Sequence, residues 1–187
     1  MALVAAVALG SAANAAERKI SIVMAGGQNT MFAPLLVAIG GGLFEKRGIE
    51  VEQQPFGSGT RASAAFNGGS GEFCICGPTN ILSAVAGGID TVAIFNQYLG
   101  GTVVFMAPKA MEKTKGTDLK NFDGVTWAYT AEGSVSQAFM IRAAQAAGLD
   151  WSKQRGIAIG GIAAFVPTLK EGRAELVTMD PMSGAKA

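Results

Sequence analysis

Four short stretches gather the residues best able to hold a small polar molecule: "GGQNT" (26–30), "GSGT" (57–60), "GPTN" (77–80) and "GSVS" (133–136). Each sets hydroxyl or amide side chains beside glycine, so small polar groups and backbone N–H groups are offered together. Three of the four lead into helices, whose first N–H groups lack an intrahelical partner and favour an anionic ligand. Covalent chemistry is poorly provided for. The chain has no histidine, which removes the commonest general base, the Ser–His and Cys–His nucleophile pairs, and the commonest metal ligand. Ser134 and Ser136 therefore lack the usual activator. Lysine or aspartate would have to replace it, and helix capping is the simpler role for both serines.

Other constellations carry less. "GSGTRA" (57–62) fits the dinucleotide-loop pattern G-x-G-x-x-A between a strand and a helix. That helix is only about two turns long, however, and no acidic residue ends a strand ~20 residues on, as the fingerprint expects. Arg61 can pair with an anion or stay solvated. Trp127 and Trp151 could face a ligand, although Trp127, in a strand, reads as core. Cys74 and Cys76 stand two apart in "GEFCICG", on one face of a strand. They could bridge in an oxidising compartment or begin a metal site, but no other Cys or His completes one, so two small buried thiols are expected.

The elements that must position these loops alternate. "KISIVMA" (19–25), "IEVEQQPF" (49–56) and "FCICG" (73–77) read as strands. Between them lie a helical pattern over 31–48, weakened by Gly40 to Gly42, and a short helix "RASAAFN" (61–67) ending at Gly68. "PTNILSAVAGG" (78–88) opens on proline, which suits a first helical turn. "DTVAIFNQYL" (90–99) and "GTVVFMAP" (101–108) read as two further strands. The second half repeats the grammar with strand "VTWAYT" (125–130), a helix after Gly133, strand "GIAIGGI" (156–162), short helix "VPTLKEG" (166–172) and strand "AELVTMD" (174–180). Val135, Phe139, Ala143 and Ala147 recur every four residues along the helix after Gly133 and predict its apolar face, with Gly148 as its stop. Such alternation argues an α/β fold with mostly parallel sheets, and ligands of such sheets gather at the carboxyl ends of the strands.

Composition agrees with a packed domain. The 187 residues are 49% hydrophobic and 16% charged, with Lys+Arg 15 against Asp+Glu 14, so no basic stripe points to nucleic acid. Ala2 to Leu9 form an apolar run of eight, well short of the ~20 a bilayer span needs. Ala13-Asn14-Ala15 follows as a small-x-small cleavage pattern, so residues 1–15 are expected to be an export signal, although its basic n-region is missing.

The run "APLLVAIGGGLFEKRGIEVEQQPFGSGTRASAAFNGGSGEFCICGPTNILSAVAGG" resembles the first domain of periplasmic substrate-binding proteins of ABC importers, of the nitrate/sulfonate/taurine and thiamine-precursor type. "LKNFDGVTWAYTAEGSVSQAFMIRAAQAAGLD" and "LKEGRAELVTMDP" are similar to that family's second domain, so the likeness covers roughly residues 19–182. It implies a type II periplasmic-binding-protein-like fold, with two doubly wound α/β domains joined by crossing strands, the first crossing near Phe95 to Gly101. Domain I would take residues 16–97 and domain II residues 98–187. The ligand would lie in the cleft between them, held by Gln28, Asn29, Ser58, Gly59, Thr60, Thr79, Asn80, Gly133, Ser134 and Ser136, with Asp180 further out.

The implied function is capture of a small polar or anionic ligand and delivery to an ABC permease, in the periplasm, without a cofactor and as a monomer when complete. Family members continue past "MDPMSGAKA". An incomplete second domain, a missing return to the first, exposed apolar surface and marginal stability are therefore expected here. Two alternatives share the fold: a thiamine-pyrimidine-synthesis enzyme, which the lack of histidine opposes, and a ligand-sensing regulatory domain, which the export-like segment opposes.

Overall fold

The computed structural model describes residues 18–27, 30–97 and 103–179. The expected export signal, Gln28, Asn29 and Asp180 lie outside the described residues.

Two sheets organise the chain. The first has the order β2-β1-β3, all parallel, with β1 (Arg18–Ala25), β2 (Ile49–Phe56) and β3 (Phe73–Ile75). Ile20, Ile22, Val23 and Met24 are buried because β1 is the central strand and has neighbours on both edges. Neither flanking strand has a buried residue. The second sheet has the order β4-β7-β5-β6, with β4 (Val104–Met106), β5 (Thr126–Tyr129), β6 (Arg155–Ala158) and β7 (Leu176–Met179). Here β5 is parallel to β6 and β7, while β4 runs antiparallel to β7. Every residue of β5 and β7 is buried, as expected of parallel strands covered on both faces.

Helices α1 (Ala33–Gly40), α2 (Gly59–Asn67) and α3 (Pro78–Ala86) belong with the first sheet. Helices α4 (Glu112–Lys115), α5 (Val135–Ala146) and α6 (Phe165–Lys170) belong with the second. Strand alternation sorts the second core into two layers. Trp127, Tyr129 and Leu176 pack with Met140 and Ala144 of α5, whereas Ala128, Val177 and Met179 pack with Phe165 of α6. Trp127 is fully buried, with edge-on contacts to Phe105 and Trp151.

Four expectations are corrected. The helical pattern over 31–48 breaks at its glycines: α1 stops at Gly40, Gly42 takes φ +66°, and only a 3-10 turn, Glu45–Arg47, follows. Residues 91–96 form no strand; Val92, Ile94 and Phe95 stand about three-quarters exposed at 78%, 74% and 80%. The buried line of α5 runs through Met140 and Ala144, one residue past the expected face, whose members are only half-buried. Finally, Cys74 and Cys76 are joined in a disulfide, with Cα atoms 5.5 Å apart and both residues half-buried, rather than being two buried thiols.

Candidate functional site

The carboxyl ends of both sheets face each other. β2 runs into Gly57 and Ser58, whose hydroxyl accepts from Arg61 N (3.3 Å) and caps α2. β3 runs into Gly77, and the Asn80 side chain reaches back to accept from Gly77 N (3.3 Å), fixing the start of α3. β5 runs into Thr130 and a turn at Ala131 to Gly133, where Gly133 takes φ +70° and Ser134 caps α5 by accepting from Gln137 N (3.3 Å). The loop after β6 is tied to the same end by hydrogen bonds from Ile159 N and Gly160 N to the carbonyls of Tyr129 and Thr130, each 2.9 Å.

These loops touch. The Thr60 hydroxyl donates to the main-chain carbonyl of Glu132, 72 positions away, at 3.0 Å. A Cβ on Gly57 would stand 2.5 Å from the carbonyl oxygen of Gly160, and one on Gly161 3.0 Å from that of Gly57. A Cβ on Gly77 would overlap the Val135 side chain at the start of α5. A Cβ on Gly59 would stand 2.5 Å from Asn80 Oδ1, so the starts of α2 and α3 are neighbours too. Any side chain at Gly57, Gly59 or Gly77 would collide with a neighbouring loop or helix start.

The expected residues that are described lie at neighbouring helix starts. Ser58, Gly59 and Thr60 start α2; Thr79 and Asn80 start α3; Gly133, Ser134 and Ser136 start α5. Ser58, Asn80 and Ser134 are buried. Most of their side chains are already engaged. Ser136 Oγ accepts from Thr130 N at 3.0 Å and lies 3.0 Å from Thr130 Oγ1 and 2.8 Å from Ser134 Oγ, a chain of three hydroxyls. The groups left over are main-chain. Gly59 N, Thr60 N, Thr79 N, Val135 N and Ser136 N have no hydrogen-bond partner among the described residues, and Thr79 Oγ1 is buried without one. Five N–H donors from three helix starts form a concentration of partial positive charge that suits an oxyanion.

The residues sequence reasoning missed hold this arrangement rather than face it. Tyr129 and Gln137 both donate to the Glu132 carboxylate, and Gln137 Oε1 accepts from Gly133 N at 2.7 Å. Burial, and then the hydrogen bond to Glu132, push the Tyr129 phenol up to about 12. Gly160 and Gly161, within the sequence-predicted strand "GIAIGGI", instead lie in the loop after β6. A glycine pair at the end of a strand that meets another loop is the signal that was available.

This two-sheet architecture, with opposed strand ends, has counterparts among solved structures. The chain is similar to a protein from Bordetella bronchiseptica RB50 (25% identity, TM-score 0.74, covering 87% of this chain and 51% of that one). It is also similar to the alkanesulfonate-binding protein SsuA from Xanthomonas axonopodis pv. citri, bound to MOPS (18%, TM-score 0.70, 89% and 56%). A third likeness is to the periplasmic nitrate-binding protein NrtA from Synechocystis PCC 6803 (17%, TM-score 0.65, 87% and 46%). The model of the NMT1-like family matches residues 15–181, and the chain belongs to that family. No curated protein sequence matches it. The chain spans about half the length of these solved structures.

Proposed function

We propose that this chain is the ligand-gripping part of an exported solute-binding protein. It captures a small polar or anionic organic ligand between its two sheets and hands it to the permease of an ABC importer. Sulfonates, nitrate-like anions and thiamine pyrimidine precursors are the candidate ligands. Residues 1–15 are the export signal, 16–97 the first segment of one domain and 98–187 the second. Gln28, Asn29, Ser58, Gly59, Thr60, Thr79, Asn80, Gly133, Ser134, Ser136 and Asp180 rim the site. Binding rather than catalysis fits a chain without histidine.

The observation that carries this reading is the convergence of unpartnered N–H groups from α2, α3 and α5 where the two units touch. Main-chain donors left without protein partners favour a ligand or water that satisfies them. The alkanesulfonate- and nitrate-binding relatives support an oxyanion. The test is thermal unfolding followed by tryptophan fluorescence against taurine, alkanesulfonates, nitrate, bicarbonate and pyrimidine thiamine precursors. A compound at 100 times its Kd stabilises the folded state by about 2.7 kcal/mol, which raises the midpoint by roughly 5–10 °C in a chain of this size. If no compound in the panel moves the midpoint, the reading is wrong.

A further inference from the structure

Among the described residues, one hydrogen bond crosses between the two units: Thr60 Oγ1 to the carbonyl of Glu132. The acceptor side is unusually well fixed. Ser134 N closes the turn onto the Ala131 carbonyl at 3.1 Å, and Gly133 supplies the left-handed residue at φ +70°. One oxygen of the Glu132 carboxylate accepts from Tyr129 OH, in the strand before the turn; the other accepts from Gln137 Nε2, in the helix after it. Gln137 also receives Gly133 N through its carbonyl oxygen. The turn is thus triangulated from both flanking elements, although Glu132 and Gly133 are exposed and the carboxylate makes no ion pair among the described residues. An exposed turn gains little from such bracing unless its position matters. The other contacts between the units, Gly57 with Gly160 and Gly77 with Val135, are close approaches that limit how near the loops come. They are not attractive directional bonds.

We propose that the turn 131–133 is a latch, with Thr60 as its bolt and Tyr129 and Gln137 as positioning residues that hold the Glu132 carbonyl where the bolt reaches it. The latch sets the separation and register of the two units when they close. It thereby aligns the free N–H groups of α2 with those of α5. Its effect on ligand retention rests on the binding function proposed above, while its effect on closure does not.

The experiment places spin labels on the two units of the full chain at Lys46→Cys and Lys153→Cys, both exposed positions, leaving the Cys74–Cys76 bridge oxidised. Distance distributions are compared for Thr60→Val, Thr60→Ser, Tyr129→Phe and the double variant Thr60→Val/Tyr129→Phe. The latch requires that Thr60→Val and Tyr129→Phe each shift the population to longer distances. It also requires that Thr60→Ser restore the short ones and that the double variant go no further than either single, since residues acting through one contact are not additive. Additive shifts, or no shift in Thr60→Val, overturn the proposal, because a purely structural role for Tyr129 within the second sheet would be independent of Thr60. If Tyr129→Phe unfolds the second sheet, Gln137→Met tests the same linkage with the same expected non-additivity. With methanesulfonate as probe, Thr60→Val should release it about fivefold faster, the equivalent of one ordinary hydrogen bond. Distance shifts without any methanesulfonate binding in the parent chain would overturn the sulfonate reading and leave the latch standing.

Discussion

Replacing Gly57 with alanine isolates the contact between the two units from the folding of either. The added Cβ would meet the Gly160 carbonyl oxygen at 2.5 Å, against ordinary contact at 3.4 Å or more. The neighbour is backbone, pinned by the hydrogen bond from Gly160 N to the Thr130 carbonyl, so it cannot rotate aside. The backbone at Gly57 is not in the left-handed region, so alanine fits its own unit without strain. The overlap must then be relieved by moving the units about 0.9 Å apart, at the ~1–3 kcal/mol that overpacking typically costs. Because that penalty falls on the closed form, ligand affinity should weaken by about 5- to 150-fold while the urea midpoint stays put. Titration calorimetry with whichever compound raises the melting midpoint, paired with urea unfolding, reads both quantities. Unchanged affinity refutes the reasoning. So does a loss of stability equal to the loss in binding, because it would mean that the Gly57–Gly160 contact belongs to the folded core.

The other expectations are simpler. Ser134→Ala removes the acceptor for Gln137 N and a partner of the Ser136 hydroxyl; it should lower stability by about 1–2 kcal/mol and the melting midpoint by roughly 2–8 °C, with Ser134→Thr recovering most of the loss. Tyr129 holds its proton more tightly folded than unfolded, since its phenol is pushed up to about 12 from an ordinary value near 10. Its stabilisation is therefore complete below about pH 10 and is lost as pH rises through about 12. Urea unfolding across that range should show a steeper loss in the parent than in Tyr129→Phe, and a late-ionising phenol by ultraviolet titration that the variant lacks. Leu82 and Phe95, 69% and 80% exposed on the first unit, should drive self-association. Changing both to glutamine should lower the sedimentation-average mass and dye binding without lowering the melting midpoint.

What the sequence disclosed and what it hid follow from the range of the interactions. Helix starts are local events. Ser58 three residues before the N–H it accepts from, Pro78 after Gly77, and Ser134 after Gly133 each sit in a short pattern whose physics is complete within a few residues, so α2, α3 and α5 were legible together with their loops. Strands needed partners. "VFM" at 104–106 became β4 because β7 runs beside it, whereas "VAIF" at 92–95 is just as β-prone and forms no strand. The α5 face was misplaced by one residue because a repeat of four drifts around a helix of 3.6 residues per turn, and the layer that decides the matter, Trp127 with Leu176, comes from strands far away in sequence. The Thr60–Glu132 bond and the Gly57–Gly160 approach join residues about 70 to 100 positions apart, and no short-range pattern announces such a pair.

The same distinction bears on what selects the ligand. The hydroxyls and amides that made the loops look like a binding site are mostly committed to shape: Ser58 to Arg61 N, Asn80 to Gly77 N, Ser134 to Gln137 N, Ser136 to Thr130, and Thr60 to Glu132. The five free N–H groups are main-chain and identical in chemistry whatever residue carries them. Donors of that kind favour negative charge but discriminate little between a sulfonate, a nitrate and a carboxylate. Discrimination must then come from side chains not already engaged, and among the described rim residues Thr79 is one whose hydroxyl is buried and unpartnered. Thr79→Val should therefore change the order of affinities across a panel of anions by about threefold to tenfold, the worth of a single hydrogen bond. Ser136→Ala should weaken all of them alike. A preference order that moves with Ser136 and ignores Thr79 would show that the hydroxyl chain, not the unpartnered Thr79 hydroxyl, reads the ligand.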